Sequence, residues 1–156
     1  MIILGIDPGT ATTGFGVVKK ENGKLSMIDY GVVSTPAGVE MGKRLVMLAD
    51  DLDQLIKAHK PDIVAVEKLY FATNVTTAMA VSQARGVILY VIASHGLVPR
   101  EFTPLQIKSA VTGNGQAKKT QIQEMVMRLL KLDQLPQPDD AADALAIAIA
   151  GSNKGV

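Results

Sequence analysis

The fold is decided by the stretch Met1–Val33, MIILGIDPGTATTGFGVVKKENGKLSMIDYGVV, in which three apolar-rich runs are separated by two turn sequences. The first run, Met1–Ile6, stops at the motif DPGT, which is typical of a turn. The second run, Thr13–Lys19, is followed by Asn22-Gly23 and a third run, Lys24–Val33. Because Asn-Gly between alternating runs is the strongest short hairpin signal, the stretch predicts an antiparallel β-meander.

Helices and strands alternate in the remainder of the chain. Apolar residues of Gly42–His59 recur every three or four positions, as on one face of a helix, whereas Ile63–Val66 is a short apolar run typical of a strand buried on both faces. The same criteria predict a helix at Asn74–Ser94, a strand at Val98–Phe102, and helices at Pro104–Val111, Lys118–Lys131 and Pro138–Ala150. This order predicts one α/β domain, residues 1–156, with a mixed sheet that carries the meander on one side.

The composition excludes several classes of protein. With no cysteine in 156 residues, the chain has no disulfide framework, no cysteine-ligated zinc and no thiol nucleophile, which fits a reducing cytoplasm. The apolar runs fall below the ~20 residues of a membrane span. The start MIILGID lacks the basic region of a signal peptide, so we expect a cytoplasmic protein with no membrane partner. A formal net charge of +1 gives by itself no indication of a polyanionic partner.

Acidic residues follow apolar segments at two predicted strand ends. Asp7 closes IILGI and Glu67 closes IVAV. If these strands are parallel neighbours, both carboxylates emerge at the carboxyl edge of the sheet, where open α/β sheets place their ligands. Asp140 and Asp143 lie three positions apart, on one face of a helix that is otherwise apolar nearly all round. A divalent cation is the simplest way to stabilise such a group, and oxygen-only ligands suit Mg²⁺ or Mn²⁺.

Single members of this group have structural explanations that remain open. Asp139 and Asp140 are acids of the kind favoured at a helix N-terminus, and Asp7 also suits a turn. Taken together, the four acids favour a shared metal site. Two ions ~3.5–4 Å apart can activate a water and stabilise the leaving oxygen in an in-line phosphoryl transfer. Asp7, on the first strand, is then the natural candidate to bridge both ions.

Five segments resemble the RuvC family of bacterial crossover junction endodeoxyribonucleases: ILGIDPGTATTGFGVV, IVAVEKLYFATN, QARGVIL, VTGNGQAKKTQ and DDAADALAIAI. They occur in the family's order and run through nearly the whole chain. The resemblance implies a ribonuclease-H-like fold, with helices on both faces of a mixed five-stranded sheet. It also implies a homodimer that binds a four-way Holliday junction and works with the RuvA–RuvB branch-migration complex. The expected reaction is a pair of symmetric Mg²⁺-dependent nicks that leave 5′-phosphate ends.

The resemblance also assigns roles position by position. The family's four catalytic acids fall on Asp7, Glu67, Asp140 and Asp143, while the spacing DAAD leaves Asp139 as an additional acid. The same four residues are the expected metal ligands, for two Mg²⁺ per subunit with Mn²⁺ as a substitute. With these acids neutralised by cations, the remaining residues carry a net positive charge, so the overall charge does not exclude DNA.

Five further residues are predicted to contact DNA. Lys118 and Lys119 begin a helix after a Gly-Asn-Gly loop, where backbone N–H groups favour phosphate, and Lys108 lies one short helix upstream. A solvated helix start is the alternative for this group. The resemblance ties Lys108 and Lys119 to catalysis or DNA binding, and it places at Tyr70 an aromatic ring that stacks on junction bases. Arg85, in the segment QARG, is expected to face phosphate.

Three other functions remain open from the sequence. The motif Asp7-Pro8-Gly9-Thr10 also resembles the first phosphate loop of actin-like and sugar-kinase ATP-binding proteins, which need a second domain to close over the nucleotide. A non-catalytic junction-binding protein is disfavoured by acids at all four positions. A ribonuclease-H-like nuclease acting on RNA–DNA hybrids would share the fold and the metal site, so only a comparison of substrates separates it.

Overall fold

The computed structural model describes residues 1–9, 11–68 and 75–153, which contain five strands and five helices. The strands are β1 (Ile2–Asp7), β2 (Thr12–Glu21), β3 (Lys24–Ser34), β4 (Ile63–Glu67) and β5 (Arg100–Phe102). The helices are α1 (Met41–His59), α2 (Val75–Ser94), α3 (Pro104–Thr112), α4 (Lys119–Leu130) and α5 (Asp139–Gly151).

The strands form one mixed sheet in the order β3-β2-β1-β4-β5. β1, β2 and β3 pair antiparallel, and β4 and β5 extend the sheet in parallel from β1. The hairpin between β2 and β3 turns at Asn22 and Gly23, both with positive φ, as a two-residue hairpin turn of the primed type requires. The predicted mixed five-stranded sheet with its meander is therefore confirmed.

Helices cover both faces of this sheet. Since successive residues of a strand point to opposite faces, Ile3 and Leu4 of β1 lie in two different cores. Leu4 packs in the core formed with α1 and α2, and Ile3 packs in the core formed with α3, α4 and α5. The sheet is thus the middle layer, and its carboxyl edge remains available between the helices.

α5 lies directly against the sheet, over β1 and β2. Every residue from Ala141 to Gly151 except Asp143 is buried. Glycines in the strands permit this contact, since a Cβ at Gly5, Gly14 or Gly16 would come within 3.0 Å of α5 backbone atoms. The first turns of α5 are therefore held at a fixed place relative to the end of β1.

α2 has an apolar surface that the fold covers only in part. By length and composition its window Thr77–Ser94 could cross a membrane, and 22% of that window is buried within the fold. A search of the sequence for uninterrupted apolar runs misses this window, because Arg85 and several polar residues lie within it. A single helix of this kind is weak evidence for a span, because one side of α2 packs in the core through Ile88 and Ile92.

Several boundaries differ from the predicted ones by a few residues, and two of these differences have a clear physical reason. β5 begins at Arg100 rather than at Val98, since Pro99 has no N–H to give to a strand ladder. α4 begins at Lys119, because Lys118 has an extended backbone at the N-cap position and donates its N–H to Gln121 Oε1 at 2.8 Å.

Candidate active site

Asp7 and Glu67 stand side by side at the carboxyl ends of β1 and β4. The two strands are parallel, with Ile6 paired to Val66, so the next residue of each strand reaches the same edge of the sheet. Each carboxyl group shifts the pKa of the other. Two acids that the sequence separates by sixty positions thus form one pair.

α5 brings two more acids to this edge. Asp140 accepts a hydrogen bond from Thr12 Oγ1 at 2.6 Å, which ties the first turn of the helix to the start of β2. Asp143 lies one turn further along, and its negative charge contributes to the raised pKa of both Asp7 and Glu67. The structure therefore links all four predicted acids electrostatically.

Burial and mutual repulsion disfavour the anionic forms of these acids. Burial, together with the charges of Glu67 and Asp143, raises the pKa of Asp7 to about 8. Burial also raises the pKa of Glu67 and that of Asp143, although the ammonium group of Lys119 opposes the second shift. The buried pair of Asp7 and Glu67 therefore resists carrying two negative charges unless a cation is present.

The chemistry of this group fits a divalent cation. All four side chains offer carboxylate oxygens, the ligands that Mg²⁺ and Mn²⁺ prefer. Within the part of the chain that the structure describes, no three acidic or histidine side chains already enclose a position for an ion. The raised pKa of Asp7 nevertheless reflects burial and the repulsion between neighbouring carboxylates, and a bound cation would relieve that repulsion.

Lys119 connects the acids to α4. Its Nζ lies 3.0 Å from Asp139 Oδ2 and 3.4 Å from Asp143 Oδ2. The hydrogen bond to Asp139 is the main reason why the pKa of Lys119 is raised. Asp139, the additional acid at the start of α5, is therefore a direct partner of this lysine.

A cavity of about 270 Å³ opens beside the acids. Its charged lining consists of Glu67, Asp143, Lys108 and Lys119, and apolar side chains of α3, α4 and α5 complete it. The positive charge of Lys108 also lowers the pKa of Glu67, in opposition to burial. Two of the predicted DNA-contacting lysines thus flank the carboxyl cluster.

The other three predicted DNA contacts are placed differently. Lys118 lies at the N-cap of α4, one residue before Lys119. Arg85 of α2 forms an ion pair with Glu101 of β5, so its guanidinium group has an acidic partner within the chain. Tyr70 lies outside the described residues.

Two contacts of the site have no recognisable signature in the sequence. Thr12 and Asp140 are 128 positions apart, and Lys119 precedes Asp139 by twenty positions. Strand alternation gives a partial indication, because it places Thr12 on the same face of β2 as Gly14. Nothing in the sequence shows that α5 crosses that face.

Comparison with known proteins identifies the family. The family model described as crossover junction endodeoxyribonuclease RuvC matches residues 3–151. A crossover junction endodeoxyribonuclease RuvC from Syntrophomonas wolfei is 52% identical over 149 residues, which is 96% of this chain and 87% of the relative. The protein of the same name from Alkaliphilus metalliredigens is 50% identical over 155 residues, covering 99% and 94% of the two chains.

Solved structures agree with this assignment. T. thermophilus RuvC in complex with a Holliday junction substrate superposes with a TM-score of 0.91 at 32% sequence identity, covering 96% of this chain and 92% of that one. The mixed sheet between two layers of helices is accordingly a ribonuclease-H-like fold. With matches that span nearly the full length in both sequence and structure, the chain belongs to the RuvC family of crossover junction endodeoxyribonucleases.

Proposed function

We propose that this chain resolves four-way Holliday junctions during homologous recombination and DNA repair, by two symmetric nicks that leave 5′-phosphate ends. The observation that carries the proposal is the carboxyl cluster of Asp7, Glu67 and Asp143, flanked by Lys108 and Lys119. Carboxylates can hold the divalent ions that promote hydrolysis of a phosphodiester, and the two lysines can bind its phosphate. Residues 1–156 act as one nuclease domain.

The nuclease family depends on divalent metal ions, and the acids of this chain have the chemistry to hold them. Asp7, Glu67, Asp140 and Asp143 would provide the ligands for two Mg²⁺ per subunit, with Mn²⁺ as a substitute. When bound, such ions supply a Lewis acid that activates water and stabilises the leaving oxygen. Asp7 holds the central position, since the other three acids all contribute to its raised pKa.

Basic residues hold the DNA backbone in this proposal. Lys108 and Lys119, which line the cavity beside the acids, contact the scissile phosphate or its neighbours, and Lys119 helps to stabilise its developing charge. Lys118 contacts an adjacent phosphate from the start of α4.

Arg85 has five N–H donors, enough to serve Glu101 and a phosphate together. The ring of Tyr70 stacks on an unpaired base at the junction.

Two symmetric nicks need two active sites, which a homodimer provides. The exposed side of α2 supports this proposal, because Met79 and Tyr90 are 71% and 72% exposed there. Contact with a second copy would bury this apolar surface and explain why so much of α2 lies outside the core. We place the dimer in the cytoplasm, with the RuvA–RuvB branch-migration complex as its partner and without membrane attachment.

A synthetic four-way junction with Mg²⁺ tests the proposal. We expect the unmodified protein to cut it in paired strands, and Asp7→Asn to bind it while cutting ~100–1,000-fold more slowly. Asp51→Asn, an exposed acid of α1, is the matched control and should cut normally. Cleavage by Asp7→Asn at the unmodified rate would refute the site assignment.

Substrate comparison tests the DNA structure that is recognised. Linear duplex DNA and an RNA–DNA hybrid of matched sequence should be cut far more slowly than the junction. Faster cleavage of the hybrid would instead favour a ribonuclease activity on the same fold. Tight ATP binding without a junction would favour the actin-like alternative.

A further inference from the structure

Two acids of the site, Asp143 and Asp140, have different kinds of hydrogen-bonding partner. Asp143 faces the ammonium group of Lys119, which opposes its raised pKa. Asp140 instead accepts a hydrogen bond from a neutral hydroxyl, Thr12 Oγ1, at 2.6 Å. A hydroxyl fixes the direction of a carboxylate without cancelling its charge, whereas a lysine does both.

The register of the sheet explains why this hydroxyl meets Asp140. Thr12 begins β2 and lies two residues before Gly14, so both residues point to the same face of the strand. The backbone of Asp140 lies against Gly14, since a Cβ there would come within 3.0 Å of the Asp140 carbonyl group. The first turn of α5 thus covers Thr12 and Gly14 together.

The hydrogen bond occupies Oδ2 of Asp140, and within the described residues no other group donates a hydrogen bond to this carboxylate. Thr12 donates to Oδ2, so the carboxylate cannot rotate without losing a short contact at a partly buried position. Oδ1 then keeps one direction, as a metal ligand requires. Hydrogen bonds from outside the ligand set commonly orient ligating carboxylates in this way.

We propose that Thr12 is a positioning residue, which orients the Asp140 carboxylate for cation binding at the active site. The inference deepens the proposed function and rests on it. In this role Thr12 acts through Asp140 and is not itself a metal ligand. Its contribution is to keep Asp140 in the ligating orientation before the cation arrives, so that binding does not include the entropic cost of ordering that side chain.

A purely structural role predicts different behaviour. The N-cap of α5 is Pro138, which has no side-chain hydrogen bond to the helix, so Thr12 could serve mainly to secure the helix start. In that case loss of the hydroxyl would lower thermal stability and leave the affinity for cations unchanged. Direct measurement of cation binding separates these two roles.

The test compares Thr12→Val with Thr12→Ser. Valine keeps the shape and the β-branching of threonine without the hydroxyl, and serine keeps the hydroxyl. Mn²⁺ affinity is measured on the DNA-free protein by calorimetry or electron paramagnetic resonance, and the Mg²⁺ concentration for half-maximal junction cleavage is measured separately. We expect both to be weakened ~10–100-fold in Thr12→Val and to stay within about threefold of the unmodified protein in Thr12→Ser.

Ser34→Ala is the matched control, since Ser34 is the exposed hydroxyl residue paired with Thr12 across β2 and β3. It should leave both measurements unchanged. Unaltered Mn²⁺ affinity in a folded Thr12→Val, or equal loss in Thr12→Ser, would overturn the inference. Junction cleavage by the unmodified protein reports on the proposed function separately, so the two failures are distinguishable.

Discussion

The backbone of Asp140 lies directly on Gly14, with no room for a Cβ between strand and helix. This contact sets the height of α5 above the sheet and therefore the position of two of the four acids. It couples a residue of the first hairpin to the last helix, which the sequence places at opposite ends of the chain.

Gly14→Ala is therefore expected to damage both stability and activity. The added methyl group must push α5 away from β2, which should cost about 1–3 kcal/mol of unfolding free energy and weaken cation binding. Chemical denaturation and Mn²⁺ titration measure the two effects. Gly38→Ala is the control, since a Cβ at Gly38 meets nothing within 4 Å, and it should change neither quantity. Equal behaviour of the two variants would show that the close contact is unimportant.

The metal-free protein should lose stability as the pH rises from about 4 to about 8. The folded-state pKa of Asp7 is raised to about 8, whereas the unfolded chain releases this proton near its ordinary value of 3.8. The proton on Asp7 thus favours the folded state at low pH. This advantage shrinks steadily as the pH rises above 3.8 and is lost once the pH has passed the folded-state pKa. Relative to Asp7→Asn, the unmodified protein should lose up to about 1.4 kcal/mol per pH unit in this window.

Unfolding curves at several pH values in a chelator measure this difference. Added Mg²⁺ should restore stability to the unmodified protein and have little effect on Asp7→Asn, because a ligand that binds only the folded state stabilises it. A stability difference that is independent of pH would contradict the assigned burial of Asp7.

Asp139→Asn should strengthen junction binding at low salt. Asp139 is the nearer of the two carboxylates that pair with Lys119, at 3.0 Å against 3.4 Å for Asp143. Its neutralisation makes the lysine more available to phosphate and removes one negative charge near the DNA. We expect an affinity gain of a fewfold that disappears at high salt, since both groups are exposed and screened. Fluorescence anisotropy with a labelled junction, in EDTA, measures it.

Lys119→Gln provides the opposite change for the same residue pair. It should weaken binding and reduce the slope of log affinity against log salt by about 1, as expected for one lost phosphate contact. If Asp139→Asn does not change junction affinity in the Lys119→Gln background, Asp139 acts on DNA binding through Lys119. Independent effects would mean that Asp139 acts on the DNA by general repulsion.

Tyr90→Glu should dissociate the proposed homodimer. A two-fold contact on the exposed side of α2 would bring the two new carboxylates into the same apolar interface, where charge is costly. Light scattering should then report a monomer that keeps its fold and loses paired cutting. Ile28→Glu on β3, another exposed apolar position, is the control and should remain dimeric.

The sequence by itself predicted the elements and the four candidate acids. The Asn22-Gly23 turn defined the hairpin, because few residues other than glycine and asparagine adopt positive φ. Apolar runs that end in Asp7 and Glu67, and two acids three positions apart in an apolar helix, predicted the candidate acids, because ionised groups beside a core need a functional or electrostatic reason. These are local properties, which depend only on residues close to one another in the sequence.

Only the tertiary structure decided which groups meet. Parallel pairing of β1 with β4 joins Asp7 to Glu67, and the glycines under α5 bring Thr12 to Asp140. Packing of α4 against α5 brings Lys119 to Asp139. The tertiary structure also pairs Arg85 with Glu101, an ion pair that the sequence around Arg85 does not suggest. Such contacts depend on strand order and helix crossing, which are set by the packing of the whole core, and no local pattern contains that information.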